Sequence, residues 1–230
     1  MKILAVKLVD YREWTEGLGE DREWIIQKTQ NEIMRTIHEI SSEYYAFPLQ
    51  LRYDNFLIIV NSLTPEQISQ MVKDINDQIP LRVSTCLGSG NTPLEAQQNA
   101  SRCIPNDHGD NYNYHDDHVT ALHFDINHNT ERLRKISIYE SFIEIMDVYS
   151  LLIKFLYSIG GITQYLGGDN FLGFVSDNVI YKVTEKIDSL EGLKVGIGIS
   201  KNARNAIKLA TSALDDIRKD RSEKWKIKKE

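Results

Sequence analysis

The chain has few cysteines and no long apolar run. Among its 230 residues only Cys86 and Cys103 are cysteines. Two cysteines exclude a disulfide framework or a cysteine-rich zinc site, and their apolar neighbours favour reduced thiols in the core. No stretch approaches the roughly 18 apolar residues of a membrane-spanning helix, and the first apolar run is too short for a signal peptide. We therefore expect a cytoplasmic protein with no membrane partner.

The chain also lacks an excess of positive charge and the common phosphate-binding motifs. Its net charge is −6 and its pI is near 5.6, which gives no general attraction for nucleic acid. It contains no GxxxxGK[ST] loop, strand-linked GxGxxG, HExxH, CxxC or GxSxG motif. A protein of this charge that handles a polyphosphate has to supply cations locally, as bound metal or as a few Lys and Arg side chains.

The chain does contain an internal repeat. An apolar segment ends at Asp10 and another ends at Asp125. The spacing of 44 positions from Asp10 to Asp54 recurs from Asp125 to Asp169, and Asn-Phe-Leu follows both later aspartates. Gly88 in the first copy also matches a glycine followed by an alanine-rich helix in the second. A shared landmark order of this kind indicates two diverged copies of one unit.

Hydrophobic periodicity within each copy predicts a βαββαβ unit followed by a helix. This is the pattern of an α+β fold with two tandem ferredoxin-like units, related to the nucleotidyl-cyclase palm, with antiparallel sheets. The first copy is predicted to have strands at 3–9, 46–52, 56–60 and 81–87, with helices at 20–42, from Pro65, and at 93–101. The second has strands at 119–124 and 193–199, a hairpin around 168–169, and helices at 141–158, 179–189 and 203–219. The predicted divisions are a repeat at 1–105, a linker at 106–118, a repeat at 119–219 and a charged, solvated tail at 220–230.

The paired aspartates are the strongest functional signal. In a βαββ unit the end of the first strand lies beside the hairpin, so Asp10 is expected next to Asp54, and Asp125 next to Asp169. Neighbouring carboxylates repel each other unless a cation lies between them. Hard oxygen ligands suit Mg²⁺, which binds through one or two carboxylates plus substrate phosphates. The competing interpretation is that each aspartate only caps a helix or stabilises a turn.

Residues around these aspartates are candidates for binding the rest of a nucleotide. Glycines at the second hairpin allow close backbone approach, although they also suit a tight turn. Arginine, aromatic and amide side chains in the first copy offer phosphate pairing, stacking and hydrogen bonding. These candidates are Tyr11, Trp14, Arg52, Tyr53, Asn55, Gly167, Gly168 and Asn170. His123 precedes Asp125 by two positions and so shares its strand face, which makes it a candidate acid or base.

Two family resemblances follow from these motifs. Gly167-Gly168-Asp169-Asn170 resembles the GGDEF diguanylate cyclases, but Asn170 replaces a metal-binding glutamate. Over nearly the whole chain, the sequence resembles archaeal GTP cyclohydrolase III. That resemblance rests on Asp10-Tyr11 with Trp14, on Phe47-Pro48 ahead of Arg52-Tyr53-Asp54-Asn55, and on Gly88-x-Gly90-Asn-Thr-Pro-x-Glu-Ala.

The second resemblance implies a specific enzyme. Such enzymes open the imidazole ring of GTP to a formylaminopyrimidine nucleotide and release two phosphates, in the supply of pterin- or flavin-type cofactors. It implies Mg²⁺, two or more ions, a response to monovalent cations, and a homo-oligomer, either dimer or tetramer. Asp10, Asp54, Asp125 and Asp169 would be metal ligands, and Tyr11, Arg52, Asn55 and Asn170 would contact GTP. The alternatives are a nucleotidyl cyclase and a non-catalytic nucleotide-binding sensor.

Overall fold

The computed structural model describes residues 1–104, 118–126, 136–220 and 223–230. The chain divides into two units, the first made of Met1–Gly90 with Glu95–Asp116 and the second of Asn91–Leu94 with Asp117–Glu230. Each has α+β architecture built on one sheet. The linker predicted over 106–118 lies outside the described residues except for His118. None of the described helices is long and apolar enough to cross a membrane.

The sheet of unit 1 is antiparallel throughout, with strand order β2-β3-β1-β4. Its elements are β1 (Lys2–Leu8), α1 (Tyr11–Gly17), α2 (Glu23–Glu43), β2 (Phe47–Arg52), β3 (Asn55–Ile59), α3 (Pro65–Gln78), β4 (Val83–Ser89) and α4 (Pro93–Cys103). The predicted strands and long helices are confirmed to within a few residues. The short helix α1 was not predicted, because seven residues carry too little periodicity to identify.

Local sequence explains where α3 begins. The hydroxyl of Thr64 accepts a hydrogen bond from the Gln67 amide, and the Gln67 side chain accepts one from the Thr64 amide. Pro65 occupies the first turn, where its missing N–H costs nothing. The predicted cap at Thr64 is confirmed.

Side-chain alternation along β1 separates two faces of unit 1. Leu4, Val6 and Leu8 point into the core formed with α2 and α3. The opposite face packs on α4, where Cys86 of β4 and Cys103 pair as a disulfide with Cα atoms 5.9 Å apart. The expectation of reduced thiols is therefore wrong, because the packing of α4 on β4 brings the two cysteines within disulfide reach.

Unit 2 has a five-stranded mixed sheet in the order β6-β7-β5-β8-β9. Its elements are β5 (Val119–Ile126), α5 (Ile138–Ser158), β6 (Ile162–Gly167), β7 (Asn170–Val175), a 3₁₀ turn (Asp177–Val179), α6 (Ile180–Ser189), β8 (Leu193–Ser200), α7 (Ala203–Lys219) and β9 (Trp225–Lys229). α5 begins three residues before the predicted start, where Ser137 and Glu140 form a capping box.

The tail of the chain is not the solvated extension that its charge predicted. Residues Trp225–Lys229 form β9, which pairs in parallel with β8. Lys226 and Lys228 both bind Asp216 on α7, at 3.1 and 2.9 Å. The lysines on one side of the strand therefore share a carboxylate of the neighbouring helix, which favours the lysine-rich segment in the sheet.

The strand pairing corrects the alignment of the two copies. Lys7 lies opposite Asn55 and Ser84, and Asp125 lies opposite Asn170 and Lys194. Asp125 is therefore the counterpart of Lys7, not of Asp10. Asp10 lies beyond the end of β1, and no described residue of unit 2 is paired at the corresponding position. The equal spacing of 44 positions does not reflect structural equivalence.

The later landmark of the repeat is confirmed. Gly88 lies opposite Ile3, and Gly198 lies opposite Ala121 in the corresponding pair of strands. A Cβ atom at Gly198 would overlap the backbone of Ala206 and Ala210, and one at Gly88 would overlap the alanines at the matching helix positions. Both glycines therefore allow an alanine-rich helix to lie directly on the sheet.

Candidate functional site

A cavity of about 850 Å³ opens at one end of the unit 1 sheet. Its walls come from the end of β1, the first turns of α1, the β2–β3 hairpin and one side chain of α2. The lining residues are Lys7, Leu8, Asp10, Tyr11, Arg12, Glu13, Thr15, Gln30, Leu51, Arg52, Tyr53 and Asp54. Asp10 and Asp54, which were expected beside each other, both line this cavity.

Asp10 stands at the junction of β1 and α1. Its backbone is in the left-handed region, with φ 54° and ψ 29°, a conformation that aspartate adopts more readily than most residues. Its carbonyl oxygen accepts the Trp14 amide at 2.9 Å, and its side chain makes no capping hydrogen bond to the helix. The carboxylate is exposed at the cavity and available to a ligand.

Asp54 is held by its neighbour Arg52. The guanidinium donates from Nε to Oδ1 at 3.0 Å and from Nη2 to Oδ2 at 2.7 Å. The Asp54 side chain is only 19% exposed, whereas that of Arg52 is 74% exposed. The Asp54 carbonyl also accepts the Leu8 amide at 3.0 Å, which fixes the hairpin beside the end of β1. A cation that approaches Asp54 therefore competes with a solvent-exposed arginine.

The remaining unit 1 candidates divide into two groups. Tyr11 and Tyr53 line the cavity, and Tyr11 accepts a hydrogen bond from the Gln30 side chain. Trp14 is not among the lining residues, and it packs against Tyr11 with ring centroids 5.6 Å apart. Asn55 lies opposite Lys7 in the sheet and is not among the described lining residues. Trp14 is therefore placed to hold Tyr11, whereas Asn55 belongs to the strand pairing.

Gln30 is a site residue that the sequence did not reveal. It is 5% exposed, lies in the middle of α2 and reaches the cavity beside Tyr11. Gln30 occupies a position on the buried face of α2, where a glutamine is unusual. A polar residue at a position that the periodicity assigns to the core is the signal that could have identified it.

In unit 2, Asp125 is bound by an arginine. Arg218 donates from Nη2 to Oδ1 at 2.7 Å and from Nε to Oδ2 at 3.3 Å, and its Nη1 reaches Asp215 at 3.3 Å. These contacts raise the pKa of Arg218, chiefly through the hydrogen bond with Asp125. The ammonium of Lys194, opposite Asp125 on β8, binds the Ile217 carbonyl at 3.5 Å. Asp125 thus already has a cationic partner in Arg218.

His123 lies on the same sheet face as Asp125, as predicted. Its Nδ1 is 3.0 Å from the Thr211 hydroxyl, and its Nε2 is 3.2 Å from Oδ1 of Asn170. Burial lowers the pKa of His123 most, while the hydrogen bond to Asn170 opposes that shift. In the neutral ring, Nε2–H donates to Asn170 and Nδ1 accepts from Thr211. Asn170 in turn donates to Asp169 at 3.0 Å, so one chain of hydrogen bonds fixes the hairpin.

The two glycines of the second hairpin are required by the backbone conformation of its turn. Gly167 and Gly168 have φ values of 108° and 61°, and a Cβ atom at Gly167 would meet nothing within 4 Å. Their requirement is therefore conformational. The space above the turn stays open, in contrast with unit 1, where Arg52 and Tyr53 occupy the equivalent positions.

The described residues contain no group of three or more His, Cys, Asp or Glu side chains arranged to hold a metal ion. Asp10 and Asp54 line the same cavity, and carboxylates placed in this way suit Mg²⁺ when phosphate oxygens complete its coordination. Arg218 was missed by the sequence analysis, since 93 positions separate it from Asp125 and no local pattern links them.

The sequence matches one family model and several known proteins over nearly its whole length. The family model described as GTP cyclohydrolase III matches residues 2–230. A GTP cyclohydrolase III of Saccharolobus islandicus is 57% identical over 230 residues, covering 100% of both chains. One from Saccharolobus solfataricus is 56% identical with the same coverage, and one from Sulfurisphaera tokodaii is 35% identical over 99% of this chain and 98% of that relative. The chain belongs to the GTP cyclohydrolase III family.

Proposed function

We propose that this chain hydrolyses GTP in the unit 1 cavity. The observation that carries the proposal is the convergence of Asp10 and Asp54, from different elements, in one cavity with Arg52 and two tyrosines. Family membership supplies the substrate. The product would be a formylaminopyrimidine ribonucleotide monophosphate with two released phosphates, formed in the supply of pterin- or flavin-type cofactors.

Asp10 and Asp54 are the residues that would hold Mg²⁺. When bound, the metal supplies neutralisation of the phosphate charge and acidifies its water. Two carboxylates leave most coordination positions to phosphate oxygens and water, the usual arrangement for Mg²⁺ with nucleotides. The proposal includes two or more Mg²⁺ ions and a monovalent cation, in line with the family resemblance.

Arg52 would change partners when the nucleotide binds. In the free chain it neutralises Asp54, and its high exposure means that leaving this carboxylate costs little. A guanidinium fits two phosphate oxygens as well as it fits a carboxylate. We infer that Arg52 turns to the phosphates as Asp54 turns to the cation, so that binding of metal and nucleotide are coupled.

The aromatic residues would position the guanine. Tyr53 is exposed at the hairpin tip and offers a face for stacking. Tyr11 is held from behind by Trp14 and by the Gln30 side chain. Opening of the ring requires water at C8 of the base, so a fixed orientation of the base matters more than tight binding.

In unit 2, the same role for Asp125 and Asp169 would require Arg218 to release Asp125. The Asp125 side chain is 12% exposed, so this exchange is harder than at Asp54. We infer that unit 1 carries the chemistry. We also propose that the units are tandem ferredoxin-like repeats, supported by their matching sheet orders, in a cytoplasmic homo-oligomer.

The test is turnover of GTP with Mg²⁺, followed by mass spectrometry and a phosphate assay. We expect the formylaminopyrimidine monophosphate and two phosphates for each GTP. Asp10→Asn and Asp54→Asn should each lower kcat/KM at least about 100-fold, or about 2.7 kcal/mol. Asp77→Asn, at an exposed position of α3, is the matched control. Pyrophosphate with an intact imidazole ring would indicate a nucleotidyl cyclase, and binding without turnover would indicate a sensor; both contradict the proposal.

A further inference from the structure

The outer face of α5 carries a row of mostly large apolar side chains. The row advances in alternating steps of four and three residues along the helix. Its members, which we call the α5 seam, are Tyr139, Ile143, Met146, Ser150, Ile153 and Tyr157. Tyr139 is 72% exposed and Tyr157 is 59% exposed. Alternating steps of four and three are the spacing with which one helix packs along another.

Most of the seam is not needed to build unit 2. The buried core residues of α5 are Ile145, Leu152 and Leu156, and of the seam only Met146 packs partly against that core. Helix α2 has the same 21-residue length and the same place in the order of unit 1, yet its corresponding face is mostly polar. The matching positions of α2 are Trp24, Lys28, Asn31, Arg35, His38 and Ser42, all of them exposed. The fold therefore does not require an apolar outer face on this helix, yet α5 has one.

The order of residues in the seam is nearly the same in both directions. Read forward it is Tyr-Ile-Met-Ser-Ile-Tyr, and read backward it is Tyr-Ile-Ser-Met-Ile-Tyr. In a two-fold interface between identical chains, if residue i of one copy contacts residue j of the other, then residue j of the first also contacts residue i of the second. A row that reads nearly the same in both directions satisfies this requirement. We propose that two copies of this chain associate through α5, with the helices antiparallel about an axis at the level of Val148.

Charge on α5 favours the antiparallel direction. The first half of the helix carries Glu140, Glu144 and Asp147, and the second half carries Lys154. An antiparallel pair places the lysine of one copy beside the acidic half of the other, whereas a parallel pair would set acidic halves against each other. The dipoles of two antiparallel helices point in opposite directions, which also favours the antiparallel pair.

The exposed apolar area is a large part of what a stable dimer needs. Phe142, which is 46% exposed, flanks the seam at its first turn, whereas Ile138 lies on the row of Ile145 and Leu152, away from the seam. With roughly 200 Å² for a fully exposed large side chain, the exposed seam and Phe142 amount to about 500 Å² per copy. A standard interface buries about 800 Å² per partner, so this one helix supplies more than half of it and side chains beside the seam supply the rest.

The first experiment measures mass by sedimentation equilibrium. The unaltered chain should contain a dimer, and Ile143→Asp or Ile153→Asp should raise its dissociation constant at least about 100-fold. The matched controls are Asn31→Asp and His38→Asp on α2, which should leave the mass unchanged. Thermal unfolding shows whether each variant is folded. A monomeric unaltered chain, or folded Ile→Asp variants with undiminished association, would overturn the proposal.

The second experiment tests direction and register. Ile143 of one copy should face Ile153 of the other, so the double variant Ile143→Asp with Ile153→Lys should regain the dimer through two opposite-charge pairs. Mixed Tyr139→Cys and Tyr157→Cys chains should cross-link to each other under mild oxidation, and neither should cross-link to itself. Self-cross-linking of Tyr139→Cys would show a parallel pair and contradict the antiparallel arrangement.

Discussion

Arg218 on α7 binds Asp125 on β5 through two hydrogen bonds, at 2.7 and 3.3 Å. The guanidinium occupies the side of the carboxylate at which a cation would otherwise bind. In unit 1 the corresponding strand position is Lys7, and the carboxylates lie farther along, at the cavity. The two units thus place their acidic groups differently, and in unit 1 an exposed aspartate, Asp10, lines a cavity.

Arg218→Gln should destabilise unit 2. The mostly buried Asp125 carboxylate would keep one neutral partner in place of a charged one, and we expect a loss of about 1–2 kcal/mol, since Arg218 is itself 43% exposed. Urea unfolding measures this change. Asp215→Asn removes only the more exposed partner and should cost less than about 0.5 kcal/mol. Equal effects for the two variants would contradict the role given to Asp125.

Stability should fall at mildly acidic pH because of His123. Burial lowers the pKa of this histidine below its ordinary value of 6.5, so the unfolded chain binds its proton more readily than the folded chain does. Its contribution is therefore complete above pH 6.5 and is lost as pH falls through 6.5 toward the lower folded pKa. His123→Gln should reduce the dependence of the unfolding free energy on pH between pH 5 and 7. His38→Gln removes another histidine of the described residues whose pKa is lowered by burial, and serves as comparison.

Arg52→Gln should change metal and nucleotide affinity in opposite directions. Removal of the guanidinium frees Asp54, so Mg²⁺ affinity without nucleotide should rise by up to about fivefold, the range of an exposed ion pair. The KM for GTP should rise because a phosphate partner is lost. Isothermal titration with Mg²⁺ and steady-state kinetics measure the two effects. Arg35→Gln, which breaks the exposed pair with Glu39, should change neither.

Gly198→Ala should be strongly destabilising. The added methyl would overlap the Ala206 carbonyl oxygen and the Ala210 amide, both backbone atoms of α7 that cannot move independently. A cost of about 3 kcal/mol or more is expected. Gly17→Ala in α1 meets nothing within 4 Å and should be neutral or stabilising by up to about 1 kcal/mol. A well-folded Gly198→Ala chain of normal stability would contradict the close approach of α7 to β8.

Truncation after Glu223 should lower the melting temperature. It removes β9, its pairing with β8 and both lysines that bind Asp216. We expect a decrease of roughly 5 °C or more by calorimetry. Lys229→Ala, an exposed substitution within β9, is the control and should shift the melting temperature by less than about 1 °C. No change on truncation would restore the interpretation of a solvated tail.

The sequence alone determined most of the local structure and one functional pair. Periodicity located the strands and the long helices, and the Thr64 cap was readable because a capping box lies within four consecutive residues. Asp10 and Asp54 were found together because a βαββ unit returns its hairpin to the end of the first strand. These features depend on neighbours in the chain or on topology, both of which a pattern of residues encodes.

Only the tertiary structure decided how the two copies correspond and what surrounds the second set of carboxylates. Equal spacing aligned Asp10 with Asp125, but strand pairing matches Asp125 with Lys7. The partners Arg218 and Cys103 were likewise set by helices lying on the sheet, and β9 by an open edge of β8. Register and packing are fixed by hydrogen bonds and contacts between segments distant in the chain, and a count of intervening residues contains no information about them.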